Sequence, residues 1–235
     1  MFEKIKNEIR SGLIVSCQAE DGDPFNTPEG VTLFARAAVM GGAVGIRSRE
    51  LEKTAMIVKH VNVPVIGLTK ALFSDGFVRI TGSYAEVEAI LKSGCHIVAI
   101  DGTFREREGI TGPQFITKVK ERFGCLVMAD ISTYDDGIAC ADYGADFIST
   151  TLSGYTPETK SHSSHNPDFE LVRRLASQLP QPVIAEGRVN TPVHALQMLE
   201  LGAWAVVVGT AITRPRVITE WYVNKMKQSG EKIEQ

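Results

Sequence analysis

Among the ionisable side chains that close short apolar runs in this chain, the types of three define the chemistry open to it. Pro64-Val65-Ile66-Gly67-Leu68 ends at Thr69 and Lys70, Cys125-Leu126-Val127-Met128-Ala129 ends at Asp130, and Pro182-Val183-Ile184-Ala185 ends at Glu186. A charge set where a buried segment opens onto a loop is costly unless it is used or paired. Partial loss of water lowers an amine's pKa. That makes Lys70 a workable general base near neutral pH, or a Schiff-base nucleophile. Glu186 reads either as an active-site acid or as the ion-pair partner of Arg188. Asp130 reads as a group orienting Lys70, as a holder of a substrate hydroxyl, or as the partner of Arg47. Lys70 itself has an alternative reading as a solvated loop lysine.

A second set of residues suits an anion. Gly209-Thr210-Ala211-Ile212-Thr213-Arg214-Pro215 has the form of a phosphate cradle. Free N–H groups at a helix start attract an anion, and Arg214 can add a charge-assisted bond. Gly187 and Arg188 form the other half, and an ordinary turn and cap is the plainer alternative. Ser153-Gly154-Tyr155-Thr156 and His162-Ser163-Ser164-His165 make a hydroxyl-rich loop suited to sugar hydroxyls, with Ser153 and Tyr155 as candidate contacts. Such loops are also often simply solvated. Of the five histidines only His162 and His165 are close, with no carboxylate at a zinc-site spacing, so no metal site is expected. Cys17, Cys95, Cys125 and Cys140 form no CxxC pair and read as reduced and structural.

The elements that position these residues recur along the chain. Eight apolar runs alternate with helical stretches and end at Gln18, Arg47, Lys70, Asp101, Asp130, Thr150, Glu186 and Gly209. Four or five apolar residues are too few for a helix and suit a buried strand. Gly42-Ala43, Gly94-Cys95, Gly144-Ala145 and Gly202-Ala203 precede runs, as expected where a helix hands over to a strand. Ser48, Ser83 (with Glu86), Ser132 or Thr133, and Asn190 or Thr191 are read as helix caps. A longer loop follows Lys70. Strands apolar on both faces are parallel and covered by helices. Eight such units fit one α/β domain over residues 1–235, a (β/α)8 TIM barrel with phosphate-binding loops after strands 7 and 8. An open doubly wound sheet is the alternative, but the loop after Gln18 lacks its glycine-rich form. In a barrel all eight strand ends meet at one rim, where active sites lie.

The 235 residues are 43% hydrophobic, ample for a sizeable core. A net charge of -3 and a pI near 6.0 give no global pull toward nucleic acid or membrane. No apolar run approaches the ~20 residues of a membrane helix, and Met1 to Arg10 lacks a signal-peptide core. The cytoplasm is the expected compartment. The tail after Gly230 is expected to fray.

Taken together, the motifs resemble one family. Ser16-Cys17-Gln18-Ala19, Gly45-Ile46-Arg47, Ile66-Gly67-Leu68-Thr69-Lys70 and Met128-Ala129-Asp130-Ile131-Ser132-Thr133 look like N-acetylmannosamine-6-phosphate 2-epimerase. So do Thr151-Leu152-Ser153-Gly154-Tyr155-Thr156, Ala185-Glu186-Gly187-Arg188 and Val208-Gly209-Thr210-Ala211-Ile212-Thr213-Arg214-Pro215, so that the likeness runs the length of the chain. The resemblance implies an isomerase that interconverts N-acetylmannosamine 6-phosphate and N-acetylglucosamine 6-phosphate in sialic-acid or amino-sugar catabolism. It implies no metal or organic cofactor. It implies Lys70 and Glu186 as the catalytic pair, and Gln18, Arg47, Asp130 and Arg214 as substrate contacts. Residues 158–164 depart from the family toward Ser and His.

Rival readings are a ribulose-phosphate 3-epimerase-like barrel, a lysine Schiff-base enzyme and a non-catalytic phosphosugar-binding barrel. The first uses a metal-supported acid pair and strand-end histidines, which these strand ends lack. The phosphosugar is the expected partner, and a homodimer the expected assembly, with Trp221 and Tyr222 open as interface or core.

Overall fold

The computed structural model describes residues 2–160 and 165–230. In chain order the elements are α1 (Phe2–Glu8), β1 (Leu13–Cys17), α2 (Pro28–Met40), β2 (Gly45–Arg49), α3 (Leu51–His60), β3 (Val65–Leu68), β4 (Lys70–Leu72) and β5 (Val78–Ile80). Then follow α4 (Tyr84–Leu91), β6 (Ile97–Asp101), α5 (Gly112–Phe123), β7 (Leu126–Asp130), α6 (Tyr134–Asp142), β8 (Phe147–Ser149) and α7 (Phe169–Gln178). The chain ends with β9 (Val183–Glu186), α8 (Pro192–Glu200), β10 (Ala205–Val208), α9 (Thr210–Thr213) and α10 (Pro215–Gly230). Eight parallel strands close in the order β1-β10-β9-β8-β7-β6-β3-β2, which is the (β/α)8 barrel rather than the open sheet.

Strand side chains alternate, so every second residue points into the barrel. Ile14, Ile66, Ile97, Leu126, Phe147, Ile184 and Ala205 share one interior cluster, joined by Ile5 and Ile9 from α1. The same parity carries the interior upward to Ser16, Arg47, Asp130, Ser149 and Glu186. The period-two pattern thus builds an apolar floor and, one layer above it, a charged ceiling at the strands' C-terminal ends. The opposite parity faces the helices. Val98, Ile100, Val127, Ala129 and Ile148, for example, pack with Phe115 and Ile116 of α5.

Gly42, Gly94, Gly144 and Gly202 take φ of +93°, +80°, +91° and +97°, the left-handed conformation that ends a helix before the next strand. Thr27, Ser83, Thr133, Asp168 and Thr191 cap helices with their side chains. Ser48 is not a cap. β2 runs on to Arg49, Glu50 turns the chain at φ +75°, and the Ser48 hydroxyl instead accepts from Thr54 Oγ1 at 3.0 Å. The segment after Lys70 is not a plain loop either. β4 and β5 pair antiparallel, Lys70 opposite Ile80 and Leu72 opposite Val78. The hairpin is pinned by buried Arg79, which pairs with Asp75 and lies 5.2 Å over the Phe73 ring.

Candidate active site

The charged ceiling has Arg47 at its centre. Its two terminal nitrogens donate to both oxygens of Asp130, Nη1–Oδ1 at 2.9 Å and Nη2–Oδ2 at 2.5 Å. Nη1 also donates to Glu186 Oε2 at 2.9 Å and reaches Met128 Sδ at 3.6 Å. Thr151 Oγ1 donates to Asp130 Oδ1 (2.7 Å) and lies 3.1 Å from Glu186 Oε2. Arg47 is 1% exposed, Asp130 0% and the Glu186 side chain 12%. Burial works against the guanidinium's proton, but the charges of Asp130 and Glu186 outweigh it and hold the pKa above its ordinary value. Burial raises the Glu186 pKa, helped by Asp130 and opposed by Arg47, the Thr151 hydrogen bond and Lys70. Of the partners expected for Asp130, the structure supplies Arg47 and not Lys70. Glu186 pairs with Arg47, not with Arg188.

Lys70 begins the hairpin, on the parity that faces inward, and lines a cavity of about 800 Å³ over the barrel mouth. Glu186, Gln18, Arg214 and the loops after β9 and β10 line the same cavity. The rim withdraws water from the amine, and Arg47, Arg49 and Arg214 repel its proton, so its pKa falls to about 8 although Glu186 opposes the change. The ammonium still faces the open cavity, so solvent screens these charges in the ligand-free protein.

The cavity's other wall holds the loops expected to suit an anion. Gly187 and Arg188 both take left-handed backbone, φ +106° and +57°. Such a conformation is uncommon for a residue with a side chain and marks a position that its surroundings hold in place. The Arg188 guanidinium turns sideways, donating from Nε to the Asn166 carbonyl (2.8 Å) and from Nη1 to the Ser153 carbonyl (2.7 Å), 5.4 Å over the Tyr155 ring. Arg188 lines the cavity while its side chain fastens the hydroxyl-rich loop. Gly209 precedes α9, whose first N–H groups have no intrahelical acceptor. Thr213 Oγ1 ties that turn to β1 through the Ser16 carbonyl at 2.7 Å. Arg214 lines the cavity and donates to Glu20 at 2.6 Å.

The remaining expected contacts divide. Gln18 lines the cavity, its amide on Ser16 Oγ at 2.9 Å. Tyr155 lines it too and is 60% exposed. Ser153 is buried with its hydroxyl on Asp168 (2.7 Å) and is not among the cavity's lining residues. His162, Ser163 and Ser164, like the tail beyond Gly230, lie outside the described residues; His165 is exposed. Trp221 borders the cavity, whereas Tyr222 is 69% exposed. All four cysteines are free.

Three contributors went unread in the sequence. Thr151 bridges Asp130 and Glu186 but stands in a run of hydroxyl residues. Phe77 lines the cavity from the unexpected hairpin. Arg105 lines it from what reads as a solvated charged loop, yet Nη2 donates to Asp101 Oδ2 at 2.7 Å and Nε to Thr103 Oγ1 at 3.0 Å. A carboxylate closing β6, with arginines four and six residues on, was the available signal.

Fold and site together define a (β/α)8 barrel that gathers a lysine, a carboxylate pair and anion-suited loops at the C-terminal ends of its strands. The family model described as "Putative N-acetylmannosamine-6-phosphate epimerase" matches residues 31–228. A protein of Caldanaerobacter subterraneus subsp. tengcongensis named "Putative N-acetylmannosamine-6-phosphate 2-epimerase" is 46% identical over 226 residues, 95% of this chain and 94% of its own. One of the same name from Clostridioides difficile is 44% identical over 227 residues, 97% of this chain and 99% of its own. The solved N-acetylmannosamine-6-phosphate 2-epimerase of Clostridium perfringens superposes with a TM-score of 0.88 at 38% identity, over 94% of this chain and 95% of that one. The chain belongs to the N-acetylmannosamine-6-phosphate epimerase family. Thiamine phosphate pyrophosphorylase from Pyrococcus furiosus, at 16% identity and a TM-score of 0.63, shares the fold.

Proposed function

We infer that this chain is an isomerase that interconverts N-acetylmannosamine 6-phosphate and N-acetylglucosamine 6-phosphate by removing and returning the proton at C2. Family membership supports the reaction. The observation that carries the site is that Lys70 and Glu186 face one cavity, with burial moving the amine pKa down to about 8 and the carboxyl pKa up, both toward their uncharged forms.

In the open-chain sugar C2 is alpha to the C1 aldehyde, so loss of its proton gives an enolate. Lys70 takes that proton and returns it to the other face. Glu186 assists ring opening and proton traffic at oxygen. Arg47, enclosed with Asp130, acts through Glu186 by holding negative charge beside it. Asp130 in turn fixes Arg47. The phosphate sits between Gly187, the Arg188 backbone, Gly209, Thr210 and Arg214, so that binding energy at C6 positions C2 over the lysine. Gln18 and Tyr155 contact the sugar. No step calls on a metal or organic cofactor. The chain works as a single domain over residues 1–235 and as a homodimer, in the cytoplasm, in sialic-acid or amino-sugar catabolism. Among the described residues no helix is long and apolar enough to cross a membrane.

Turnover in D2O, followed at C2 by proton NMR, tests the reading. Wild type incorporates solvent deuterium at C2 in both epimers, and Lys70→Ala does not. Deuterium incorporation by Lys70→Ala at the wild-type rate would remove the lysine from the reaction.

A further inference from the structure

Arg47 is a poor partner for the substrate's acetamido group, because its two Nη atoms bond Asp130 and Glu186 and it is 1% exposed. The substituent on C2 must find its partner elsewhere on the rim. In the barrel order β6 lies beside β3, and β6 and β10 stand four strands apart in a ring of eight, on opposite sides. A sugar phosphate held at the β9 and β10 loops, with C2 over Lys70, therefore extends its C2 substituent away from the phosphate, toward the strands that flank β3. On the β2 side Arg49 is occupied by Glu50 at 2.6 Å and does not line the cavity. On the β6 side stands Arg105, which does.

Arg105 is built as a fixed donor. Its Nε and Nη2 are held by Thr103 and Asp101 at 3.0 and 2.7 Å. Asp101 is fully buried and is itself fixed by Thr103 (2.7 Å) and Arg107 (3.0 Å). The Arg105 side chain is 12% exposed, and its Nη1 carries no hydrogen bond among the described residues. The hairpin lends the same cavity an apolar edge, Phe77 and Val78, which are 44% and 48% exposed. A guanidinium N–H and an apolar edge in one cavity match an amide carbonyl carrying a short alkyl group.

We propose that Arg105, with Phe77 and Val78 of the β4–β5 hairpin, forms the subsite for the N-acyl group. Arg105 Nη1 donates to the acyl oxygen, and Phe77 and Val78 cover the methyl. This rests on the epimerase reading and assigns the residues that set its acyl selectivity.

The test compares kcat/KM for mannosamine 6-phosphates bearing N-acetyl, N-propanoyl and N-butanoyl groups, with inorganic phosphate as a competitive inhibitor. Phe77→Ala raises the butanoyl-to-acetyl ratio roughly tenfold, since two extra methylenes gain room. Arg105→Ala lowers kcat/KM for every acyl form about 10- to 100-fold, mainly through KM, leaves inhibition by phosphate unchanged, and Arg105→Lys recovers part of the loss. An acyl ratio unmoved by Phe77→Ala, or phosphate inhibition weakened by Arg105→Ala as much as substrate binding is, overturns the subsite. Wild type inert toward the N-acetyl sugar phosphate overturns the epimerase reading, and the subsite with it.

Discussion

If Lys70 is the base, kcat/KM must follow the neutral amine. With a pKa of about 8, about one amine in eleven is neutral at pH 7, against about one in three thousand for an ordinary lysine, a gain of about 300-fold in active base. The profile therefore rises about tenfold per pH unit below pH 7 and levels above pH 8. The substrate's second phosphate ionisation, at about pH 6, adds a bend well below that region. The sign of each neighbour's effect can be read separately. Arg49 repels the lysine's proton while pairing outside the cavity with Glu50. Arg49→Gln should move the acid limb up by roughly a few tenths of a pH unit, the size of one screened charge, with substrate contacts untouched. Added salt should move it the same way. Glu186 favours the ammonium, so Glu186→Gln should move the limb down while lowering the plateau. The assay is kcat/KM between pH 5.5 and 9.5 at constant ionic strength. A profile flat across pH 7–8, or a limb that Arg49→Gln leaves in place, would refute the lysine as base.

Two further outcomes are open to direct measurement. Asp130→Ala leaves the buried Arg47 with half its partners and should cost about 3–5 kcal/mol, or about 6–20 °C in Tm for a chain of this size. The double variant Arg47→Met with Asp130→Leu should recover much of that loss in thermal denaturation, and no recovery would mean that the pair is not the source. Light scattering of the purified protein should give about twice the 25.6 kDa of one chain, with Tyr222→Glu on the exposed face of α10 shifting the mass toward one chain; a monomeric wild type would remove the dimer.

How much of this the sequence disclosed follows from which forces act locally. The eight strands were legible because burial on both faces writes a continuous apolar run, and the terminal glycines because only the left-handed backbone closes those helices. Lys70 and Glu186 were legible as charges closing such runs. The hairpin was missed because two three-residue strands carry no run at all. Its signal was the Asp75-Gly76 turn between the alternating segments 70–72 and 78–80. Ser48 looked like a cap because its spacing to the helix was right, and strand pairing carried the chain past it to Arg49. The partners of Glu186 were beyond local reading, since Arg47 lies 139 residues away. Choosing between Arg47 and Arg188 required the barrel's register, in which Arg47, Asp130 and Glu186 share the inward parity and the Arg188 side chain leaves the barrel axis.

That register also explains why one environment can equip both ends of a proton transfer. Arg47 with Asp130 and Glu186 carries one positive charge against two negative ones, an excess of one carboxylate in a layer almost closed to water. The excess is relieved either by an ammonium at Lys70 or by a proton on Glu186. Burial penalises both charged forms, lowering the amine pKa and raising the carboxyl pKa. It therefore brings the two groups closer in proton affinity, so that the arrangement with the proton on the carboxyl and the amine free lies within reach. If Lys70 is the base and Glu186 the donor, that arrangement readies both without further proton uptake from solvent. Substrate that fills the cavity removes the water now screening Lys70 and pushes the balance further the same way. Arg47 sets the limit. It lowers the Glu186 pKa that burial and Asp130 raise, so the two buried neighbours act on that proton with opposite sign. On the proposed mechanism the buried Arg47–Asp130 pair thus balances Glu186 between holding and releasing its proton, as a reversible epimerisation requires.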